Sequence, residues 1–164
     1  MKKLIKSFYY AFKGITYCIA NEQNMRIHLC FATYMLGFLT VYDFFEVSRT
    51  QAAILMITCA AVFALEAVNT AVERAVDIET GGKRNPLAKA AKDAAAGAVL
   101  FAAVGAVAVG VTILYQPEAF RAMAEYYANN IPVLILLIVS VAASLVFIFA
   151  GPSGIKSFFK KHIK

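Results

Sequence analysis

The chain has 164 residues, of which 61% are hydrophobic and only 16% charged, with a mean hydropathy of +0.68 and a formal net charge of +6. A soluble domain carries roughly 25% charged residues to keep its surface wet, so this balance excludes an ordinary soluble fold and points to a small polytopic membrane protein. The basic residues sit beside apolar runs and leave no soluble basic domain, which excludes nucleic acid as a partner and favours phospholipid headgroups and a polyanionic nucleotide.

In chain order, residues 3 to 20 repeat Leu4, Phe8, Ala11, Phe12, Ile15 and Ile19 at helical spacing, with Lys2, Lys3, Lys6 and Lys13 on the other face. That pattern predicts an amphipathic helix lying on the membrane surface. The first apolar run starts near Ile27 and lacks a small-residue cleavage site, so it does not read as a signal peptide. Membrane spans are expected at about 27–45, 52–77, 93–115 and 131–150, each near the roughly 20 residues that cross a bilayer.

Ala94, Ala98, Ala102, Ala106 and Gly110 recur every four residues in the third span and predict close helix packing. Phe120, Met123 and Tyr127 suggest a short interfacial helix before the fourth. Gly151-Pro152-Ser153-Gly154 is expected to end that span, and Ile155, Phe158, Phe159 and Ile163 with four lysines predict a second, short surface helix. Cys18, Cys30 and Cys59 follow no metal or disulfide spacing and read as small apolar fillers.

Flanking charge orients this arrangement. Residues 1–26 hold five Lys or Arg, 74–92 hold five and 156–164 hold four, whereas the other two connections hold only Arg49 and Arg121. Fourteen of sixteen basic residues thus fall on one side of a four-span topology, which the positive-inside rule makes cytoplasmic, with both termini expected on the cytoplasmic side of the bacterial inner membrane.

The stretch LEAVNTAVERAVD, residues 65–77, follows fourteen uncharged residues and sets Glu66, Asn69, Glu73 and Asp77 within an arc of about 80° on one helix face. Asp77 and Arg74 fit a helix emerging into water. Glu66 fits that reading poorly, because Ala67, Val68, Ala71 and Val72 keep the other face apolar, and ionisable groups at membrane depth are costly unless they serve a function. One carboxylate would take a proton from a hydroxyl while others hold a hard divalent ion. Glu22 and Arg26 before the first span, and Lys92-Asp93 opening the third, join that row on the same side. Carboxylates, a lysine and an available Mg²⁺ suit phosphoryl transfer, in which positioning and charge neutralisation dominate. Gly81-Gly82-Lys83-Arg84 is not a Walker A loop, and no soluble-kinase, HExxH or GxSxG signature is present. On the residues alone, a proton-coupled transporter built around Glu66, or a structural subunit glued by the polar row, stays open.

Glu66-Ala-Val-Asn69-Thr-Ala-Val-Glu73-Arg-Ala-Val-Asp77, then Ala88-Lys-Ala-Ala-Lys92-Asp93-Ala-Ala-Ala-Gly97-Ala-Val99, resembles the integral-membrane lipid kinases of bacteria, the diacylglycerol and undecaprenol kinases. Ala11-Phe-Lys-Gly14 and Asn21-Glu22-Gln-Asn24-Met-Arg26-Ile-His28 are similar as well, so the resemblance runs from about Phe8 to Tyr115. It implies an all-α integral membrane fold, a surface helix plus three spans in residues 1–116, with residues 117–164 as an added fourth span and basic tail.

The resemblance further implies ATP and Mg²⁺ as co-substrate and cofactor, and a homotrimer with shared active sites. Glu66 would be the general base, Glu22 and Glu73 the metal carboxylates, and Tyr10, Glu22, Glu73, Asp77, Lys92 and Asp93 the nucleotide contacts; Glu66, Asn69 and Arg26 would meet the lipid. Gly82-Lys83-Arg84-Asn85-Pro86 departs from the Glu-Tyr-His of many members, where adenine and ribose would bind. The Asn24–His28 segment looks more like the undecaprenol kinases than the diacylglycerol enzymes, making undecaprenol the expected acceptor and diacylglycerol the alternative.

Overall fold

A computed structural model describes residues 2–162. Among the described residues six helices follow one another: α1 Lys2–Asn21, α2 Gln23–Val41, α3 Arg49–Thr80, α4 Pro86–Leu114, α5 Pro117–Asn129 and α6 Ile131–His162. Among the described residues no strand occurs. Ile163, expected on the tail helix, lies outside the described residues.

Local chemistry explains where the long helices begin and stop. Ser48 and Gln51 form a reciprocal capping box, with Gln51 N donating to Ser48 Oγ at 3.3 Å and Ser48 N to Gln51 Oε1 at 2.9 Å, which starts α3 ahead of the expected span. Gly81, at φ 58°, closes α3 in the left-handed conformation that glycine tolerates best. Asn85 Oδ1 accepts from Leu87 N at 2.9 Å and Ala88 N at 3.3 Å, and Pro86 fills the first helical turn, so α4 starts seven residues before the expected 93.

α3 and α4 form an antiparallel hairpin, with α2 against α3 and α6 against α2 and α1. Val99 and Ile113 are the buried positions of α4, while Ala94 and Ala98 at its start are exposed, so only the later part of the small-residue ridge is covered in this chain. By length and composition α3, α4 and α6 can each cross a membrane. α2 falls outside that set: its 19 residues carry Arg26 and His28, and it stops at Val41 rather than Phe45. The chain turns extended at Tyr42, whose ring stacks on Phe44 at 5.0 Å and meets Tyr126 edge-on at 5.5 Å. This aromatic cluster holds the 42–48 connection against α5, and Gln116 clips it by donating to Glu46 O at 3.1 Å and accepting from Glu46 N at 3.0 Å.

At the opposite end, α1 and α2 are separated by the single extended residue Glu22. Leu4, Phe8, Phe12 and Ile15 of α1 stay exposed, leaving an apolar face free for a membrane surface. α6 bends at Gly151, whose φ of 64° is non-helical, where the sequence led us to expect the fourth span to end.

Candidate active site

α3 carries Glu66, Asn69, Glu73 and Asp77 from the buried middle of the chain out to its polar end. Glu66 is 2% exposed, the most deeply buried charged residue described. Its Oε1 lacks a hydrogen bond, although His28 Nε2, arriving from α2, stands 3.4 Å away. Asn69, one turn on, donates from Nδ2 to Glu73 Oε1 at 3.2 Å, and its buried Oδ1 is also without a partner. Two unsatisfied buried acceptors side by side are unusual in a folded chain and leave room for a further hydrogen-bond donor.

Space exists there. A pocket of about 310 Å³ is lined by Asn24, His28, Glu66 and Asn69 on one side and by Ala96, Val99 and Leu100 of α4 on the other. It shares Ile27, His28 and Ala103 with a groove of about 330 Å³ whose remaining walls, among them Phe31, Met35, Phe63 and Val107, are apolar. An apolar channel therefore ends at a carboxylate and an amide.

Beyond it, the last turns of α3 and the first turns of α4 enclose a cleft of about 750 Å³ that includes Asp77, Thr80, Lys83, Arg84, Lys89 and Lys92. Its cationic lining suits a polyphosphate. Lys92 Nζ reaches Asp77 Oδ1 at 2.5 Å across the hairpin. Asp93, one residue on, points elsewhere: successive helix residues diverge by about 100°, and Asp93 pairs with Lys89 at 3.5 Å on an exposed face. Lys92 thus lines the cleft directly, whereas Asp93 reaches it only through Lys89.

Glu22 meets α3 through Arg74, whose Nη2 lies 3.5 Å from Glu22 Oε1 and whose guanidinium also covers the Tyr17 ring at 5.7 Å. Tyr10 is exposed on α1, in edge contact with Tyr9. Arg26, expected at the lipid, directs its donors to backbone carbonyls of α1 and α6 instead. Conversely, the contact of His28 with Glu66 carries no motif of its own; helical position facing Glu66 was the one available signal.

Among the described residues no three His, Cys, Asp or Glu side chains cluster tightly enough to enclose a metal. The hard oxygens of Glu22 and Glu73, beside the two unpartnered acceptors, nevertheless fit Mg²⁺, which takes one or two carboxylates and completes its shell with phosphate oxygens and water.

The sequence profile of the prokaryotic diacylglycerol kinases matches residues 9–114, and the chain belongs to that family of lipid kinases. It is an integral membrane protein. It is 40% identical over 114 residues to a diacylglycerol kinase of Synechocystis sp., an alignment covering 70% of this chain and 63% of that protein. It is also 40% identical over 115 residues to the undecaprenol kinase of Bacillus subtilis, covering 69% of this chain and 89% of the other. A diacylglycerol kinase of Helicobacter pylori is 34% identical over 102 residues, 60% of this chain and 74% of that one. The chain thus spans less than two thirds of the cyanobacterial relative's length. No solved structure matches it.

Proposed function

We propose that the protein transfers the γ-phosphoryl group of ATP to the hydroxyl of a membrane lipid alcohol, undecaprenol in the first place. The observation that carries this reading is the buried, unpartnered carboxylate of Glu66 at the end of an apolar groove. A lipid tail lying along Phe31, Met35 and Phe63 brings its hydroxyl to Glu66 and Asn69. Glu66 accepts the hydroxyl proton as the lipid oxygen bonds to the γ-phosphorus and the bond to ADP breaks. Asn69 holds Glu73 and keeps a carbonyl oxygen free for the hydroxyl.

The triphosphate lies in the basic cleft near Lys92 and Asp77, and Tyr10 and Asp93, outside that lining, are further nucleotide contacts implied by the family resemblance. Glu22 and Glu73 would hold Mg²⁺, which would supply charge neutralisation at the triphosphate. Arg74 steadies Glu22 for that task. Counting α2 as a fourth crossing beside α3, α4 and α6 brings both termini to the cytoplasmic side of the inner membrane, in keeping with the distribution of Lys and Arg. The exposed starts of α4, with Asp93, Ala94 and Ala98 uncovered, suit a homotrimer whose neighbours complete each site.

Undecaprenol is preferred because the match to the B. subtilis undecaprenol kinase spans most of that protein, and diacylglycerol is the alternative that the other two relatives' names support. Purified protein in mixed micelles, given γ-labelled ATP with both lipids at equal mole fraction, decides between them: label is expected on undecaprenol. Label on diacylglycerol alone reverses the preference, and label on neither overturns the reading.

A further inference from the structure

Residues beyond the family match contribute a contact that the proposed chemistry leaves unexplained. Arg26 is 6% exposed, yet among the described residues no carboxylate pairs with it. A buried cation must be met by other acceptors, and here they are backbone carbonyls. Nη1 donates to Ile19 O at 3.1 Å and Ala20 O at 3.3 Å, in the last turn of α1, where carbonyls have no partner within the helix. Nε donates to Ile148 O at 3.0 Å, in α6.

Ile148 O is free for a reason written in the sequence. Its helical donor would be the amide of residue 152, four positions on, and that residue is Pro152, which has none. The preceding Gly151 supplies the room: a Cβ there would stand 3.2 Å from the Arg26 guanidinium carbon and 3.3–3.4 Å from its two terminal nitrogens. Its φ of +64° also disfavours any side chain. Gly-Pro thus makes a socket in α6 in which proline provides the acceptor and glycine the space.

We propose that this latch makes α6 a positioning element for the active site, acting through Arg26 on Glu22. Arg26 N bonds to Glu22 O at 3.4 Å and Glu22 N to Cys18 O at 2.8 Å, so Glu22 is the bend of the elbow whose two arms the guanidinium joins to α6. Fixing that bend fixes where the Glu22 carboxylate points. A second fastening, Tyr34 Oη with Ser140 Oγ and Ser144 Oγ at 3.0 Å each, holds the same two helices together further along and touches nothing at the elbow. The inference rests on the reading of Glu22 as a metal and nucleotide carboxylate.

The full chain in mixed micelles tests it with Pro152→Ala, which restores an amide for Ile148 O, and Gly151→Val, which fills the socket. Neither variant alters a proposed site residue. Each is expected to raise KM for Mg·ATP by about tenfold, the effect of losing one charge-assisted hydrogen bond, with KM for lipid held to about twofold. Tyr34→Phe, loosening only the second fastening, should leave KM for Mg·ATP unchanged. Amide exchange at Glu22–Arg26 should accelerate in the two socket variants and not in Tyr34→Phe. An unchanged KM for Mg·ATP in both socket variants, or a matching rise in KM for lipid, overturns the proposal. Should the wild-type protein label no lipid, the proposed function fails; the exchange measurement then judges the latch alone, and unchanged elbow exchange in Pro152→Ala overturns it.

Discussion

His28 Nε2 stands 3.4 Å from Glu66 Oε1, joining α2 to α3 where the apolar groove meets the polar pocket. The imidazole is therefore both a wall of the apolar groove and a polar neighbour of the proposed base. His28→Leu keeps the wall and removes the nitrogen. Its kcat should fall by about tenfold, the scale of one close electrostatic contact, with KM for lipid little changed. Steady-state kinetics with lipid varied separates the two roles.

Glu66→Gln keeps the shape and loses the proton acceptor. Turnover should drop by about 10²–10⁴-fold, the usual contribution of a general base. Equilibrium binding of a non-hydrolysable ATP analogue should survive, which distinguishes lost chemistry from a collapsed site.

Removal of divalent metal with a chelator should stop transfer, and Mg²⁺ should restore it. Glu22→Gln is expected to shift the half-saturating Mg²⁺ concentration upward by roughly an order of magnitude, since Mg²⁺ binds through few carboxylates and losing one is felt. The titration is read as initial rate against free Mg²⁺ at fixed ATP.

The Lys92–Asp77 pair is partly exposed, so its contribution to stability is expected to be small, within roughly 1 kcal/mol. Lys92→Met should leave the midpoint of thermal unfolding nearly unmoved and raise KM for ATP several-fold. A large fall in thermal stability would assign the pair to the fold instead of the nucleotide.

Tyr127, in α5 outside the spanning helices, has its phenol pushed from the ordinary 10.0 up to about 12 by burial and by its neighbour Tyr42. The unfolded chain releases that proton first, so the folded state is progressively weakened as pH climbs from about 10 to about 12. Tyr127→Phe should flatten this alkaline loss of stability, measured by denaturant unfolding across that range.

The carboxylate row was legible because helical spacing alone aligns positions 66, 69, 73 and 77, and the long apolar runs announced α3, α4 and α6. Boundaries were less so: the cap at Asn85 and the box at Ser48 extend helices beyond the hydrophobic stretches used to delimit them. The aromatic cluster around Tyr42 ended α2 early through contacts with Tyr126 and Tyr127, far off in the chain. The contacts of Arg26 were illegible for a different reason. Its partners are carbonyl oxygens, which every residue carries, so nothing in the side-chain pattern distinguished α6 from a lipid headgroup as its counterpart. Asp93 stands beside Lys92 in any alignment of letters, yet one step around α4 leaves it outside the cleft lining, paired with Lys89.

The length of α3 has a consequence for the geography of the reaction. Its 32 residues extend about 48 Å, against a hydrocarbon layer of about 30 Å, and Glu66 lies about 26 Å from the Arg49 end. In the proposed reaction the acceptor alcohol thus needs to rise only to the ceiling of the oily slab, while the last turns of the rod jut like a jetty into water and offer the triphosphate its mooring. Neither reactant has to be dragged into the other's solvent.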